Sequence, residues 1–111
     1  MSEKDILFGA EACTHTAIAV EGFFDMANVG PGAVCLFGLA YTQKQVNLLS
    51  QYPRRIICFD NSPDAQRVAS RLAGDLAVFP GTTEQVVLDA DDPGEASRDE
   101  ILELRKFAGL E

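Results

Sequence analysis

Four acidic residues follow short apolar segments of the sequence, and their spacing is a first indication of chemistry. Glu21 follows one apolar run, Asp60 follows another, and Asp91 and Asp92 come shortly after a third. Carboxylates held close together repel one another and favour a bound cation. Mg²⁺ takes oxygen ligands, keeps several of its waters and often bridges to a phosphate. The pattern therefore predicts a divalent-metal site, with the simple capping of strands and helix starts as the alternative.

The apolar runs that carry these acids have the length of strands. Strands are predicted over residues 17–20, 33–37, 55–59 and 84–88. Short, two-sided apolar strands that alternate with amphipathic helices are typical of a mostly parallel sheet with helices on both faces. The functional crevice of such a sheet lies outside the carboxyl ends of its strands. If the first and third strands are neighbours, Glu21 and Asp60 meet at one edge.

The segments between the strands carry helix signals. Helices are predicted over residues 23–29, over residues 42–52, from Ser62 onwards and from Ser97 onwards. Thr42 with Gln45 and Ser97 with Glu100 have capping-box spacing, and Ser62 is followed by proline at the first helical position. Residues 1–16 are ambiguous, and residues 6–8 are expected to add an edge element or to pack on the sheet.

Length, charge and cysteine content limit the classes of function. The chain has 111 residues, enough for a single domain over 1–111, and a net charge of −8. A polyanion is repelled by nucleic acid, so strong binding of DNA by this chain alone is not expected, and a metal would supply the missing positive charge. The three cysteines have no paired spacing, and no apolar stretch is long enough to span a membrane. These features predict a cytoplasmic protein without disulfides.

Several segments together resemble the Toprim family, as it occurs in bacterial and phage DNA primases. Residues 19–25 (AVEGFFD) resemble the first motif, a strand followed by Glu-Gly and then Asp. Residues 58–66 (CFDNSPDAQ) resemble the second, Asp-x-Asp followed by a helix. Residues 30–38 and 41–45 resemble the interval between the motifs, and residues 91–95 (DDPGE) resemble the acidic Asp-Pro turn after the fourth strand. The resemblance extends from residue 17 to residue 110 and implies a Toprim-like, Rossmann-like α/β fold.

The resemblance also implies roles for individual residues. Glu21 matches the catalytic glutamate, which performs general acid/base work or contacts the metal. Asp60 matches the first metal-binding aspartate, and Asp25 and Asp92 match further acidic positions around the metal. The implied cofactor is Mg²⁺ or Mn²⁺, which would bind phosphates and stabilise charge on the attacking or leaving oxygen.

One position departs from the family pattern. The second aspartate of Asp-x-Asp is replaced by Ser62. A serine hydroxyl is a poor Mg²⁺ ligand beside a carboxylate, and Ser62 is equally suited to be only a helix N-cap. Asp64 lies two residues further on, but a residue in the first turn of a helix points in another direction. The departure leaves open whether the domain is an active enzyme.

Basic and aromatic residues add weaker signals. Arg67, near the start of the helix after Asp60, is the best basic candidate for binding phosphate. Arg54 and Arg55 precede the third strand, at the end opposite the expected site, and are predicted to lie on the surface. One of Phe23 and Phe24 is expected to pack in the core, and the pair is not expected to form a base-stacking platform.

These observations favour a Mg²⁺-dependent, primase-like nucleotidyltransferase module or subunit that synthesises RNA primers. Nucleic acid and nucleotides are the expected ligands, with help from other domains, subunits or replication proteins, and no membrane is expected. A non-catalytic Toprim interaction module of a replication or repair complex is one alternative. A small Toprim nuclease or recombination mediator is another. For the fold, a flavodoxin-like or receiver-like domain is the alternative, although Glu-Gly-Phe-Phe-Asp matches it poorly.

Overall fold

Strands and helices alternate along residues 6–111, the part of the chain that the computed structural model describes. The elements are β1 (Thr16–Val20), α1 (Phe23–Val29), β2 (Ala33–Cys35), α2 (Gln43–Leu49), β3 (Arg54–Ile57), α3 (Pro63–Leu76), β4 (Thr82–Gln85) and α4 (Arg98–Phe107). Short 3₁₀ turns cover Ala10–Ala12 and Pro93–Glu95.

The four strands form one parallel sheet in the order β2-β1-β3-β4. The two central strands are β1 and β3, and Ile18 of β1 lies opposite Ile56 of β3. The predicted parallel α/β sheet is confirmed. The first and third strands are neighbours, which is the condition under which Glu21 and Asp60 were expected to meet, so their carboxyl ends lie at the same edge of the sheet.

Helices cover both faces of the sheet, as predicted. Ala17 and Ala19 of β1 face the core that α2 and α3 close, whereas Ile18 and Val20 face the core that α1 and α4 close. All five residues of β1 are buried. Alternate side chains of a strand point to opposite faces, so a central strand covered on both sides is apolar over most of its length, here from Ala17 to Val20.

The edge strand β4 lies earlier in the sequence than predicted. Its paired residues are Thr82–Gln85, and none of them is fully buried. The apolar residues that suggested a strand, Val86 and Leu88, follow the paired segment and pack against the core that α4 closes. An edge strand has one neighbour and one open side, so its pairing does not require an apolar sequence.

Helix starts follow the predicted capping residues, with one difference. Thr42 and Gln45 form the complete capping box, with Gln45 N donating to Thr42 Oγ1 and Thr42 N donating to Gln45 Oε1. Ser97 Oγ accepts from Glu100 N at 3.1 Å. The Glu100 carboxylate does not close the second box, because it accepts from Asp89 N and Ala90 N.

The N-terminal segment packs on the outer strand of the sheet. Phe8 makes an isolated antiparallel bridge with Cys35, and Leu7 is buried. The edge element expected within residues 6–8 is thus reduced to a bridge, while residues 1–5 of the ambiguous segment lie outside the described part of the chain. None of the helices in residues 6–111 is long and apolar enough to cross a membrane.

Arg55 corrects the prediction of two surface arginines. Its side chain is 1% exposed, and its guanidinium donates to the carbonyl oxygens of Tyr52, Leu76 and Pro80 and to Thr83 Oγ1. Carbonyl groups at the end of a helix are unpaired and carry negative partial charge, so the cation stabilises the end of α3. Arg54 is partly exposed and pairs with Glu84 at 2.7 Å.

Candidate functional site

The carboxyl ends of β1 and β3 open into a solvent-exposed depression of about 430 Å³. Its lining consists of three acidic residues, two glycines and one phenylalanine: Glu21, Gly22, Asp25, Phe37, Gly38 and Asp60. This is the edge at which a parallel sheet places its functional crevice. The structure brings Glu21, Asp25 and Asp60 together there.

Glu21 is held from both neighbouring strands. Its carbonyl oxygen accepts from Gly38 N at 2.8 Å and from Cys35 Sγ at 3.4 Å, which ties it to the end of β2. Its side-chain Oε1 accepts from Asp60 N at 2.8 Å, which ties it to the end of β3. The Glu21 carboxylate therefore has a fixed position beside Asp60.

Asp60 carries a carboxyl group that is incompletely satisfied. Its Oδ1 is buried and has no hydrogen-bond partner among the described residues. Burial raises the pKa of Asp60 to about 6, with further contributions from the charge of Glu21, a hydrogen bond with the Glu21 side chain and the charge of Asp92. A carboxylate in this position favours a proton or a cation.

Asp25 connects the first motif to the loop after β4. The carboxylate is buried and accepts from Gly22 N at 3.1 Å and from Gly94 N at 2.9 Å. Burial raises the pKa of Asp25 despite these two hydrogen bonds, and the charges of Asp60 and Asp92 raise it further. Asp25 thus ties the Glu21-Gly22 turn to the loop after β4.

Asp92 caps the 3₁₀ turn in that loop. Its Oδ1 accepts from Glu95 N at 3.0 Å. Its charge raises the pKa values of Asp25 and Asp60, so Asp92 lies within electrostatic reach of both. The Asp92 carboxylate therefore caps the turn and makes the electrostatic potential at the site more negative.

Asn61, which sequence reasoning missed, joins the loops after β3 and β4. Its backbone N–H donates to Asp91 O at 2.7 Å, and its Nδ2 donates to Leu88 O at 2.9 Å. Asn61 is the middle residue of the Asp-Asn-Ser sequence, so its position in the second motif was the available signal.

The donor set fits a cation that needs few protein ligands. Within residues 6–111, no group of three His, Cys, Asp or Glu side chains has the geometry of a complete metal site. Mg²⁺ commonly uses one or two carboxylates and retains waters. The buried, unpartnered Asp60 Oδ1 suits that ion, and Asp60 would hold it with the Glu21 carboxylate beside it.

Two other residues considered in the sequence analysis, Ser62 and Arg67, do not line the depression. Ser62 Oγ accepts from Ala65 N at 3.2 Å and so caps α3, which confirms the capping interpretation. Arg67 is exposed, pairs with Asp64 at 3.0 Å and is not among the residues that line the depression. Phosphate binding by Arg67 stays a prediction, as do the metal-binding roles of Asp25, Asp60 and Asp92 and the catalytic role of Glu21.

Four phenylalanines form an aromatic rim at one side of the depression. Phe37, which lines the depression, meets Phe8; Phe8 meets Phe23; and Phe23 meets Phe24, with ring-centroid distances of 6.0, 6.0 and 6.1 Å. Phe23 is 49% exposed and Phe24 82% exposed. The prediction that one of them packs in the core was wrong, since both side chains are exposed at the start of α1.

The chain is similar in fold to two solved bacterial structures. It matches the Aquifex aeolicus primase (zinc-binding and RNA polymerase domains) with a TM-score of 0.77 and 26% identity, over 98% of this chain and 30% of that one. It matches a DNA primase domain from Pseudomonas aeruginosa with a TM-score of 0.75 and 19% identity, over 90% of this chain and 36% of that one. The chain thus spans about a third of each. No protein-family model and no curated protein matches it. The fold is primase-like.

Proposed function

We propose that this chain is a Toprim-like, Mg²⁺-dependent module that acts in nucleic-acid metabolism by primase-like nucleotidyl transfer. The similarity in fold to two bacterial primase structures supports the general role. The observation that carries the metal site is the buried Asp60 Oδ1, which has no partner among the described residues and lies beside Glu21. Since the chain spans about a third of those structures, we expect it to act with further domains or subunits that hold the template.

Each carboxylate has a distinct proposed role. Asp60 would offer Oδ1 to the metal, because that oxygen is buried and unsatisfied. Glu21 would lie at the edge of the metal site, fixed by the Asp60 N–H, and accept or return a proton. Asp25 would position Gly22 at the depression and Gly94 in the loop that carries Asp92. A bound Mg²⁺ would supply Lewis-acid stabilisation of phosphate charge.

Metal binding is testable directly by NMR. We expect Mn²⁺ to broaden the backbone signals of Glu21, Gly22 and Asp60 selectively, and Mg²⁺ to shift them. Asp60→Asn should abolish this response, whereas Glu84→Gln, which alters a carboxylate paired with Arg54 at the other end of the sheet, should retain it. No selective response in the wild type, or an equal response in Asp60→Asn, would contradict the proposed site.

Ser62→Asp tests the departure from the family pattern. Aspartate caps helices as well as serine does, so α3 should be unaffected. The added carboxylate should tighten Mg²⁺ binding, by about tenfold for one further charged ligand near the ion. Unchanged affinity would contradict the interpretation of Ser62 as the position of a lost ligand.

Primer synthesis tests the reaction. Incorporation of ribonucleotides on a single-stranded template, with Mg²⁺ or Mn²⁺ and with the partner domains of the primase supplied, should fall by at least about a hundredfold in Glu21→Gln, since acid/base catalysis typically contributes that much. Activity that survives this substitution would exclude Glu21 as the catalytic residue. Cleavage of the strand without synthesis would instead indicate the nuclease alternative.

A non-catalytic interaction module is the second candidate. It is favoured by Ser62, which caps α3 where the family pattern has an aspartate, and by the absence of a three-ligand group in residues 6–111. This candidate predicts a stable fold that shows no metal response in the wild type but gains one in Ser62→Asp.

A further inference from the structure

The side chains of the aromatic rim are clustered, and three of the four are exposed to solvent. The rim consists of Phe8, Phe23, Phe24 and Phe37. Phe8 is 44% exposed, Phe23 49% and Phe24 82%. Single apolar side chains on a surface are common, but a contiguous cluster marks a binding surface. The three exposed rings lie next to one another, and Phe8 meets Phe37, which lines the depression that we assign to phosphate chemistry.

The four phenylalanines of the aromatic rim come from three separate backbone segments. Phe37 has a positive φ of 59°, a conformation that a bulky side chain rarely adopts. Phe8 is held by its bridge to Cys35, whose N–H donates to Phe8 O at 2.9 Å. Phe23 and Phe24 occupy the first turn of α1, directly after the Glu21-Gly22 turn. Three separate segments therefore converge on one aromatic surface.

The ring geometry suits ligands with flat faces. The interplanar angles are 58° for Phe8 and Phe23, 73° for Phe8 and Phe37, and 84° for Phe23 and Phe24. Rings that meet edge to face do not cover one another as stacked rings would. Partly exposed ring faces of this kind are what nucleobases stack on in proteins that bind single strands.

Contrary to the expectation from the sequence that Phe23 and Phe24 form no base-stacking platform, we propose that the aromatic rim is a platform on which successive bases of a single-stranded nucleic acid stack beside the acidic depression. The rim is continuous with the depression, because Phe37 lines both, and four rings linked by three contacts exceed what one base can cover. Stacking requires no positive charge, so an acidic chain can use it where phosphate contacts are unfavourable. The ligand class rests on the proposed function.

The primary test is a titration of the protein with an octamer of deoxyadenosine, monitored by the NMR signals of the phenylalanine rings. It is done in EDTA and about 0.15 M salt, where the repulsion between the acidic chain and the phosphates is largely screened. We expect upfield shifts of the Phe23 and Phe24 ring signals. Phe24→Ala should weaken binding of the octamer about tenfold. Phe24→Leu should weaken it by a similar factor, although leucine is also apolar, because leucine has no ring. Phe24→Tyr should bind the octamer as the wild type does. The high exposure of Phe24 makes loss of folding in these variants unexpected.

Phe107→Ala is the matched control. Phe107 is also 49% exposed but lies at the end of α4, over the Arg54 guanidinium. Its substitution should leave binding of the octamer unchanged. An equal loss in Phe107→Ala and Phe24→Ala, or the absence of ring shifts in the wild type, would overturn the proposal and favour a protein segment as the occupant.

Titration with deoxyadenosine monophosphate tests whether the aromatic rim binds a strand or a single nucleotide. The octamer should bind at least about tenfold more tightly than the mononucleotide, because several bases stack at once. Equal affinity would contradict a strand-binding platform. Since these titrations contain no metal, they can fail while Mn²⁺ still broadens the Glu21 and Asp60 signals, or succeed when it does not, so each proposal is tested separately.

Discussion

At the scale of the residue, Asp60 is where burial and like charge act on the same carboxyl group. The pKa of Asp60 is raised to about 6 in the folded chain, against 3.8 for the unperturbed group. The folded state therefore binds the proton more tightly than the unfolded state does. The stability from this proton is fully present below about pH 4 and is lost as the pH rises through about 6.

Asp60→Asn should consequently stabilise the metal-free protein at pH 8, by about 1–2 kcal/mol after allowance for partial solvent exposure, and change it little near pH 4. Denaturant unfolding of the wild type and the variant in EDTA at several pH values measures the difference. A difference that does not grow between pH 4 and pH 8 would contradict the raised pKa.

Arg55 is the residue whose role the sequence conceals most. Its guanidinium donates to four acceptors, which lie before β3, at the end of α3, before β4 and within β4, and burial lowers its pKa. Arg55→Ala should lower the free energy of unfolding by about 3 kcal/mol or more, because buried carbonyl groups lose their donors. Arg55→Lys should also destabilise the fold, since one ammonium group cannot replace the guanidinium fork.

Arg54→Ala is the neighbouring control for Arg55. Arg54 is partly exposed and pairs with Glu84, so its loss should cost about 1 kcal/mol or less. Thermal and denaturant unfolding compare the two variants. Similar losses at both positions would mean that the buried hydrogen bonds of Arg55 contribute little.

At the scale of elements, the loop after β4 depends on α1. Asp25 accepts from Gly94 N, and Asn28 Nδ2 donates to Pro93 O at 2.8 Å and to Ala96 O at 3.1 Å. A Cβ added at Gly94 would lie 2.9 Å from Asp25 Oδ1, so a larger residue would separate the loop from the helix. These contacts hold Asp92 near the depression.

Asp25→Asn should loosen this loop selectively. An amide has one acceptor oxygen, so one of the Gly22 and Gly94 N–H groups would lose its partner, at a cost of about 1–3 kcal/mol. Hydrogen exchange should accelerate at Gly22 or Gly94, whichever amide loses its acceptor, with little change at Ile18 in the centre of β1. Asp99→Asn, an exposed change at the start of α4, should leave exchange at Gly94 unaltered.

The parallel sheet was predictable because its central strands are apolar on both faces, a pattern typical of parallel strands covered by helices on each side. The meeting of Glu21 and Asp60 followed from the topology alone. The position of β4 was not predictable, because an edge strand pairs through polar residues while its apolar residues pack elsewhere. Arg55 was missed because its partners are carbonyl groups distant in sequence, and Phe8 because its neighbours come from β2 and α1.

At the scale of the whole molecule, negative charge dominates and available positive charge is scarce. The net charge is −8. Arg54, Arg67 and Arg105 are engaged in ion pairs, and Arg55 is buried. Binding of a nucleic acid usually derives much of its affinity from lysine and arginine at phosphates. Nucleic-acid binding by this chain, as proposed, would therefore depend on a metal, on stacking or on the cationic surface of a partner more than on these arginines.

The salt dependence of binding distinguishes these sources. For single strands, the logarithm of the affinity falls with the logarithm of salt concentration by about 0.7 for each phosphate neutralised. If the octamer binds the isolated chain by stacking, the slope in EDTA should be near zero, or slightly positive as salt screens the repulsion between the acidic chain and the phosphates. Titrations between about 50 mM and 200 mM salt measure it. A slope steeper than about −2 would require roughly three phosphate contacts and would contradict a site that relies on aromatic rings.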